Sequence, residues 1–303
     1  MDAERTRTWL PPYPLDLERV LAPLRRGSGD PTFLAGPDGL WWGTTTTAGP
    51  ATLRLREAAG GEVVATAWGP GAARVLDGVP DLLGAADDDT GFEPVHDVVA
   101  RGRHLSRGMR LGATGRVWDV LLAAVLEQKV TGREAWRSWR ELARRFGAAA
   151  PGPAPDRLRV PPDAQRVRAV RDWEWHRAGV DGARRRTLLA AASVAGSLER
   201  AAELRGTAGR ELLRKVPGIG PWTAAEIAQR AWGDPDAVSV GDYHLPTIVG
   251  LALTGRPADD EGMLAALEPY AGHRHRAVRC LIAAGAGRPR YGPRMPARDY
   301  RAM

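Results

Sequence analysis

Cysteine is all but absent from this chain of 303 residues: Cys280 stands alone. A single thiol excludes a disulfide scaffold, a Cys-ligated structural zinc and a four-cysteine iron–sulfur cluster. Lysine is almost missing too, with only Lys129 and Lys215. No run of about 18 apolar residues occurs, so no transmembrane helix is expected. The opening Met-Asp-Ala-Glu-Arg-Thr-Arg lacks the basic-then-apolar order of a secretory signal. A soluble intracellular protein is the expectation. The histidines show no metal-ligand spacing: His273 and His275 lie two apart, and His96, His104, His176 and His244 are scattered. Asp87-Asp88-Asp89-Thr90-Gly91 lacks the order of a calcium loop and reads as a solvated turn. No internal repeat is present.

The sequence does hold enough apolar material for a packed core, at 44% hydrophobic against 26% charged. Its length suits two ordinary domains or one large one. The charge is unevenly spread. Residues 1–100 carry 8 basic and 15 acidic side chains, while residues 101–303 carry 35 and 21. An acidic first third therefore precedes a strongly basic remainder, and a basic domain suits a polyanion such as nucleic acid. Nearly every positive charge is arginine, which grips phosphate bidentately. A GC-rich genome writing Arg for Lys accounts for that bias equally well, but not for the split.

The first hundred residues read as mixed α and β. Leu40-Trp-Trp-Gly-Thr-Thr-Thr-Thr47 is rich in strand formers. Ala51–Glu57 alternates at period two, and Gly60-Gly61 separates it from Glu62–Trp68, which is a hairpin signal. Val75, Leu76, Val79, Leu82 and Leu83 have helical spacing within residues 72–83. From about residue 116 the pattern turns helical: a helix carrying Gln128, another from Gly132 to Phe146, and shorter ones over 184–194 and 210–216. The Pro-rich stretch 148–163 reads as a loop. The fold class expected is α+β, with an N-terminal α+β domain over 1–110, a helical domain over 111–290 and a basic Pro-rich tail over 291–303.

The most specific stretch is Leu212-Leu-Arg-Lys-Val-Pro-Gly-Ile-Gly-Pro-Trp-Thr-Ala-Ala-Glu-Ile-Ala-Gln229. It reads as a short helix, a Pro-Gly-Ile-Gly turn and a second helix. Gly218 and Gly220 permit backbone conformations closed to bulkier residues, and Pro221 suits the first turn of a helix. Such a turn presents free backbone N–H groups at a helix N-terminus, which is an anion site without a charged side chain. An ordinary packing corner would look the same. Downstream comes Val238-Ser-Val-Gly-Asp-Tyr-His-Leu245, in which Asp242 precedes a helix and suits its capping.

Taken together, Val216-Pro-Gly-Ile-Gly-Pro-Trp-Thr-Ala224 and Gly241-Asp242-Tyr243 resemble the helix-hairpin-helix DNA glycosylases that carry a Gly/Pro-rich loop and a catalytic Asp. Within that superfamily the chain looks most like the bacterial 3-methyladenine DNA glycosylase II branch. Val120–Val130, with Gln128, is similar to a helix of that family, and the acidic N-terminal region matches its small antiparallel sheet domain of TATA-binding-protein type. The resemblance implies a monofunctional enzyme. It would flip a damaged base out of double-stranded DNA and hydrolyse its glycosidic bond as a monomer, in the bacterial cytoplasm at the nucleoid. No cofactor is implied, although hairpins of this superfamily can hold a metal ion through backbone carbonyls.

Carried over residue by residue, the resemblance makes Asp242 the catalytic carboxylate. Gly218, Gly220 and Thr223 become contacts to the DNA backbone. Trp222, Tyr243 and Tyr270 become pocket aromatics, with Gln128 lining the cleft or serving a helix contact. Bifunctional members place a Schiff-base lysine where this chain has Trp222. Glu226 departs from the pattern, standing where the family often has a pocket Tyr; it either faces the pocket or pairs with Arg230 at i+4. Leu111 is the expected wedge that fills the gap left by the flipped base, with Met109 and Arg110 as rivals. The run His273-Arg-His-Arg276 suits either phosphate or solvent.

Overall fold

The computed structural model describes residues 4–287, so the expected tail over 291–303 lies outside the described residues. The N-terminal region is built on a five-stranded antiparallel sheet ordered β1-β5-β4-β3-β2. Its strands are β1 (Arg5–Trp9), β2 (Phe33–Gly36), β3 (Gly39–Thr46), β4 (Gly49–Glu57) and β5 (Val63–Trp68). The alternation in β4 sets the register. Leu53 and Leu55 lie opposite Trp42 and Leu40 on one side and Ala67 and Ala65 on the other. All six are buried in one core with Val75, Leu76, Val79 and Leu82. The helix expected over 72–83 is divided at Gly78 into Ala72–Asp77 and Val79–Leu82.

The other face of the sheet is also covered. Trp41 and Trp68 stack at 5.5 Å, and the Arg54 guanidinium lies over both rings. The Pro-rich stretch closes this face. It carries a two-stranded ribbon, Ala148–Ala149 with Arg159–Val160, and Leu158 is buried against the tryptophans. Gly152 is needed there, because a Cβ would lie 2.3 Å from the Trp68 ring.

At the centre of the helical part is the helix Trp118–Leu126, every residue of which is buried. Two carboxylates fix it. Glu199 accepts the N–H groups of Val117 and Trp118 at its start, and burial pushes the pKa of that carboxyl up. Asp119 accepts the hydroxyls of Thr44 and Thr45, which fastens the helix to the end of β3. The helix Gly132–Phe146 follows, opened by a capping box between Thr131 and Glu134.

The segment after the sheet does not stay with it. The helix Asp97–Leu105 packs on the helix Arg274–Ala283, and Phe92 and Val99 share a core with Val249, Met263, Ala277 and Leu281. The approach is so close that a Cβ on Gly102 would fall 1.9 Å from the Cys280 carbonyl oxygen. The acidic run differs from the solvated turn expected. The Asp87 side chain is 1% exposed and takes a two-pronged ion pair from Arg276, at 2.6 and 3.1 Å. Arg276 therefore faces inward, and Arg274 pairs with Asp236 and Glu268, so this run does not offer these two guanidiniums to phosphate. Among the described residues no helix is long and apolar enough to cross a membrane.

Candidate functional site

The helices Gly206–Arg214 and Pro221–Ala231 form a hairpin around Pro217-Gly218-Ile219-Gly220. The two glycines differ in kind. Gly218 has φ +91°, and a Cβ there would lie 1.9 Å from Thr187 Oγ1. Its identity is fixed by the chain's own backbone and packing. Gly220 is extended, with φ −88° and ψ −175°, and a Cβ there would meet nothing within 4 Å. Neither conformation nor internal packing asks for glycine at 220. The first intrahelical bond runs from Ala224 N–H to the Gly220 carbonyl. The N–H groups of Trp222 and Thr223 are therefore left at the helix mouth, where the helix dipole favours an anion.

Gln128 secures this turn from the side. Its amide donates to the Gly218 carbonyl and to Thr223 Oγ1, both at 2.9 Å. Of the two roles open to Gln128, the structure supplies the helix contact. The Thr223 side chain is 3% exposed and spent on Gln128, so only its backbone N–H can face DNA. For a cation the hairpin offers backbone carbonyls. Val216 O and Gly218 O each already accept one bond, from Ile219 and Gln128, and each keeps a second lone pair.

Asp242 lies beside the hairpin, at the head of the helix Leu245–Thr254. Its Oδ1 accepts the N–H groups of His244 and Leu245, at 2.8 and 2.9 Å. Its Oδ2 accepts the indole N–H of Trp222 at 3.1 Å. Capping of the helix and the bond from Trp222 thus coexist in one side chain. A carboxylate offers about four lone-pair sites, so three bonds hold it rigidly and leave about one toward solvent. Tyr243 is 77% exposed and stands edge-on to His244.

Behind Asp242, a polar clamp fixes the loop that carries it. Glu226 accepts Arg230 at 2.8 Å and the Ser239 hydroxyl at 2.5 Å, and Gln229 donates to Ala237 O and Ser239 Oγ at 2.9 Å. Glu226 thus takes the i+4 pairing with Arg230 and does not line a pocket. Two further expectations are corrected. Tyr270 is 2% exposed, packed on Phe92, with its hydroxyl bonded to His96, so it belongs to the core. Leu111 is 3% exposed and cannot enter a duplex without unfolding its surroundings. A residue that the sequence did not single out takes its place as the exposed candidate. Lys129, next to Gln128, is exposed and held at φ +55°, a conformation uncommon for a residue with a Cβ.

No protein-family model matches the chain, and no curated protein matches it by sequence. Solved structures do match by shape. A 3-methyladenine DNA glycosylase from Archaeoglobus fulgidus aligns over 92% of this chain and 98% of its own, at TM-score 0.73 and 12% identity. The 8-oxoguanine glycosylase/lyase of Clostridium acetobutylicum, in its apo form, aligns over 94% and 98%, at TM-score 0.70 and 12% identity. Its complex with double-stranded DNA aligns over 93% and 96%, at TM-score 0.69 and 11% identity. The chain has the helix-hairpin-helix DNA glycosylase fold. Within this glycosylase fold, the hairpin, Asp242 and Trp222 form one connected constellation, while Tyr270, Leu111 and Glu226 fall outside it.

Proposed function

We propose that this chain is a DNA glycosylase that hydrolyses the glycosidic bond of alkylated purines, of the 3-methyladenine and 7-methylguanine type, in duplex DNA. One observation carries the reading: the indole N–H of Trp222 on Oδ2 of Asp242 at 3.1 Å. It joins a hairpin suited to a backbone phosphate to a carboxylate with one open lone-pair site. A phosphate held at the N–H groups of the hairpin would bring the adjoining sugar of a flipped nucleotide toward that carboxylate.

The chemistry follows from the groups present. When the bond between C1′ and the purine nitrogen breaks, its electron pair leaves with the base and positive charge develops on the sugar. The Asp242 carboxylate stabilises that charge and takes a proton from water, whose oxygen bonds to C1′. The products are an abasic site and the free base. An alkylated purine already carries positive charge and leaves readily. The faces of Trp222 and Tyr243 add cation–π attraction of ~1–2 kcal/mol, a modest selectivity. Trp222 stands where a Schiff base would need a lysine, so the reading is of hydrolysis without strand cleavage. Lys129 is assigned the wedge role, its aliphatic stem entering the gap from a strained, exposed turn. The reading also carries a monomer that works at the nucleoid.

The test is release of methylated bases from alkylated duplex DNA by the wild type and Asp242→Asn, side by side. Asn retains a capping oxygen, so the fold is kept. Release by the wild type and a loss of at least about 100-fold in the variant supports the assignment. Equal release by both sinks the role of Asp242. Duplex binding without release by the wild type points instead to a non-catalytic binding module, a reading that the capping bonds of Asp242 favour.

A further inference from the structure

We infer that a second phosphate-binding surface, away from the hairpin, lies in a basic groove along the helix Gly132–Phe146 and takes the sugar–phosphate backbone of the same duplex further along. This rests on the reading of the chain as a protein that acts on DNA. The groove has a volume of about 460 Å³ and is lined by Ser28, Arg133, Trp136, Arg137 and Arg140. Arg133, Arg137 and Arg140 are spaced four and three apart, which places them on one face of the helix.

The groove is built, not left over. Its far wall is the turn Gly27-Ser28-Gly29. Gly27 has φ +80°, and a Cβ there would fall 2.7 Å from the Trp136 ring, so the glycine lets the indole lie against the backbone. Gly29 lies less tightly against the stem of Arg140, at 3.3 Å for an added Cβ. Asp30 pins the turn from beneath, accepting from Arg26 N–H, Thr32 and the Trp139 indole. That carboxylate is 2% exposed and turned inward, so it does not neutralise the groove. Neither Arg133 nor Arg140 has a hydrogen-bond or ion-pair partner among the described residues.

Position selects the occupant. Arg133 follows Gln128 by five residues, and Gln128 is bonded to the hairpin carbonyl of Gly218. The exposed Lys129 lies between them. A cationic track therefore leads from the hairpin, past Lys129, onto this face. Arg133 and Arg140 lie about 10 Å apart along the helix axis, the rise of two to three phosphates of one strand at ~3.4 Å each. The guanidiniums suit phosphate oxygens, and Trp136 suits a deoxyribose or base face.

The test is salt-dependent binding of the full chain to an undamaged duplex of about two helical turns, read by fluorescence anisotropy. Removing two phosphate contacts should lower the slope of log Kobs against log [salt] by about 1.8. That loss is expected for the double variant Arg133→Gln/Arg140→Gln. Arg133→Lys/Arg140→Lys should retain most of the slope, which shows that charge matters and not packing. A double Gln variant that melts like the wild type and keeps its slope overturns the groove. Base release is measured separately: if the wild type releases no base while the double Gln variant still loses the slope, the glycosylase reading is overturned and the groove stands.

Discussion

The two hairpin glycines offer an experiment in which stability and binding should separate. Consider Gly218→Ala first. At φ +91° an L-residue costs about 1–2 kcal/mol. The new Cβ would lie 1.9 Å from Thr187 Oγ1, 3.0 Å from its Cβ and 3.1 Å from its Cγ2. Rotating Thr187 merely exchanges one close atom for another, so backbone must move, adding ~1–3 kcal/mol. The expected loss is about 2–5 kcal/mol of stability. Gly220→Ala is the opposite case. Its backbone is extended and the space around its Cβ is open, so only the poorer N-cap counts, at ~1 kcal/mol or less. A phosphate seated on the N–H groups of the helix mouth would meet that methyl group, however. Loss of one charge-assisted hydrogen bond, at ~1.5–3 kcal/mol, weakens duplex binding by about 10- to 150-fold. Urea denaturation and fluorescence anisotropy on both variants give the four numbers. If Gly220→Ala binds duplex DNA as the wild type does, the hairpin does not hold phosphate at this point and the reasoning fails.

Three further outcomes are expected. Arg276→Met leaves the carboxylate of Asp87 buried without its partner and should cost ~3–5 kcal/mol in urea denaturation, whereas pairing it with Asp87→Leu should recover most of that loss. Burial, with Arg279, Arg230 and Arg276 nearby, holds the pKa of His275 well below its ordinary 6.5. The unfolded chain therefore takes up the proton first. Stability from this group is full above about pH 6.5 and falls by ~1.4 kcal/mol per unit as pH drops below it; His275→Leu should flatten that part of the urea midpoint profile. Glu226→Ala removes the acceptor of both Arg230 and Ser239; it should lower stability by ~2–3 kcal/mol and reduce kcat more than KM, because the loop carrying Asp242 loses its clamp.

Local chemistry made the sheet and the hairpin readable. Period two in β4 and Gly60-Gly61 before β5 are signals that their own neighbours satisfy. β1 escaped because Arg5–Trp9 is an edge strand in which arginine alternates with threonine, so no apolar face appears before Trp9 and no turn announces it. The aspartate run misled because its partner, Arg276, lies 189 residues on, beyond any window of sequence. Tyr270 and Leu111 misled for a related reason. An aromatic or a leucine near the right position looks the same whether it faces a cleft or a core, and only the packed structure decides. In the site itself, Asp242 and the glycines were readable from the motif. The bond from Trp222 and the strained backbone of Lys129 were not, since neither leaves a mark in residue type.

The helix Arg274–Ala283 has a bearing on how the protein is made. Phe92, Val99 and Asp87 leave the ribosome early, but side chains that cover them, Ala277, Leu281 and Arg276, come much later, Arg276 189 residues after Asp87. At ~5–20 residues per second, the wait is on the order of 10–40 s. Through that time Asp87 lacks its two-pronged partner and is left with Arg110, at 4.0 Å, and an apolar face lacks its cover. Newborn chains are therefore exposed to aggregation and to proteases until the helix Arg274–Ala283 arrives. A stop codon that removes this helix would leave the hairpin, Trp222 and Asp242 in place and still yield a chain whose core stays open.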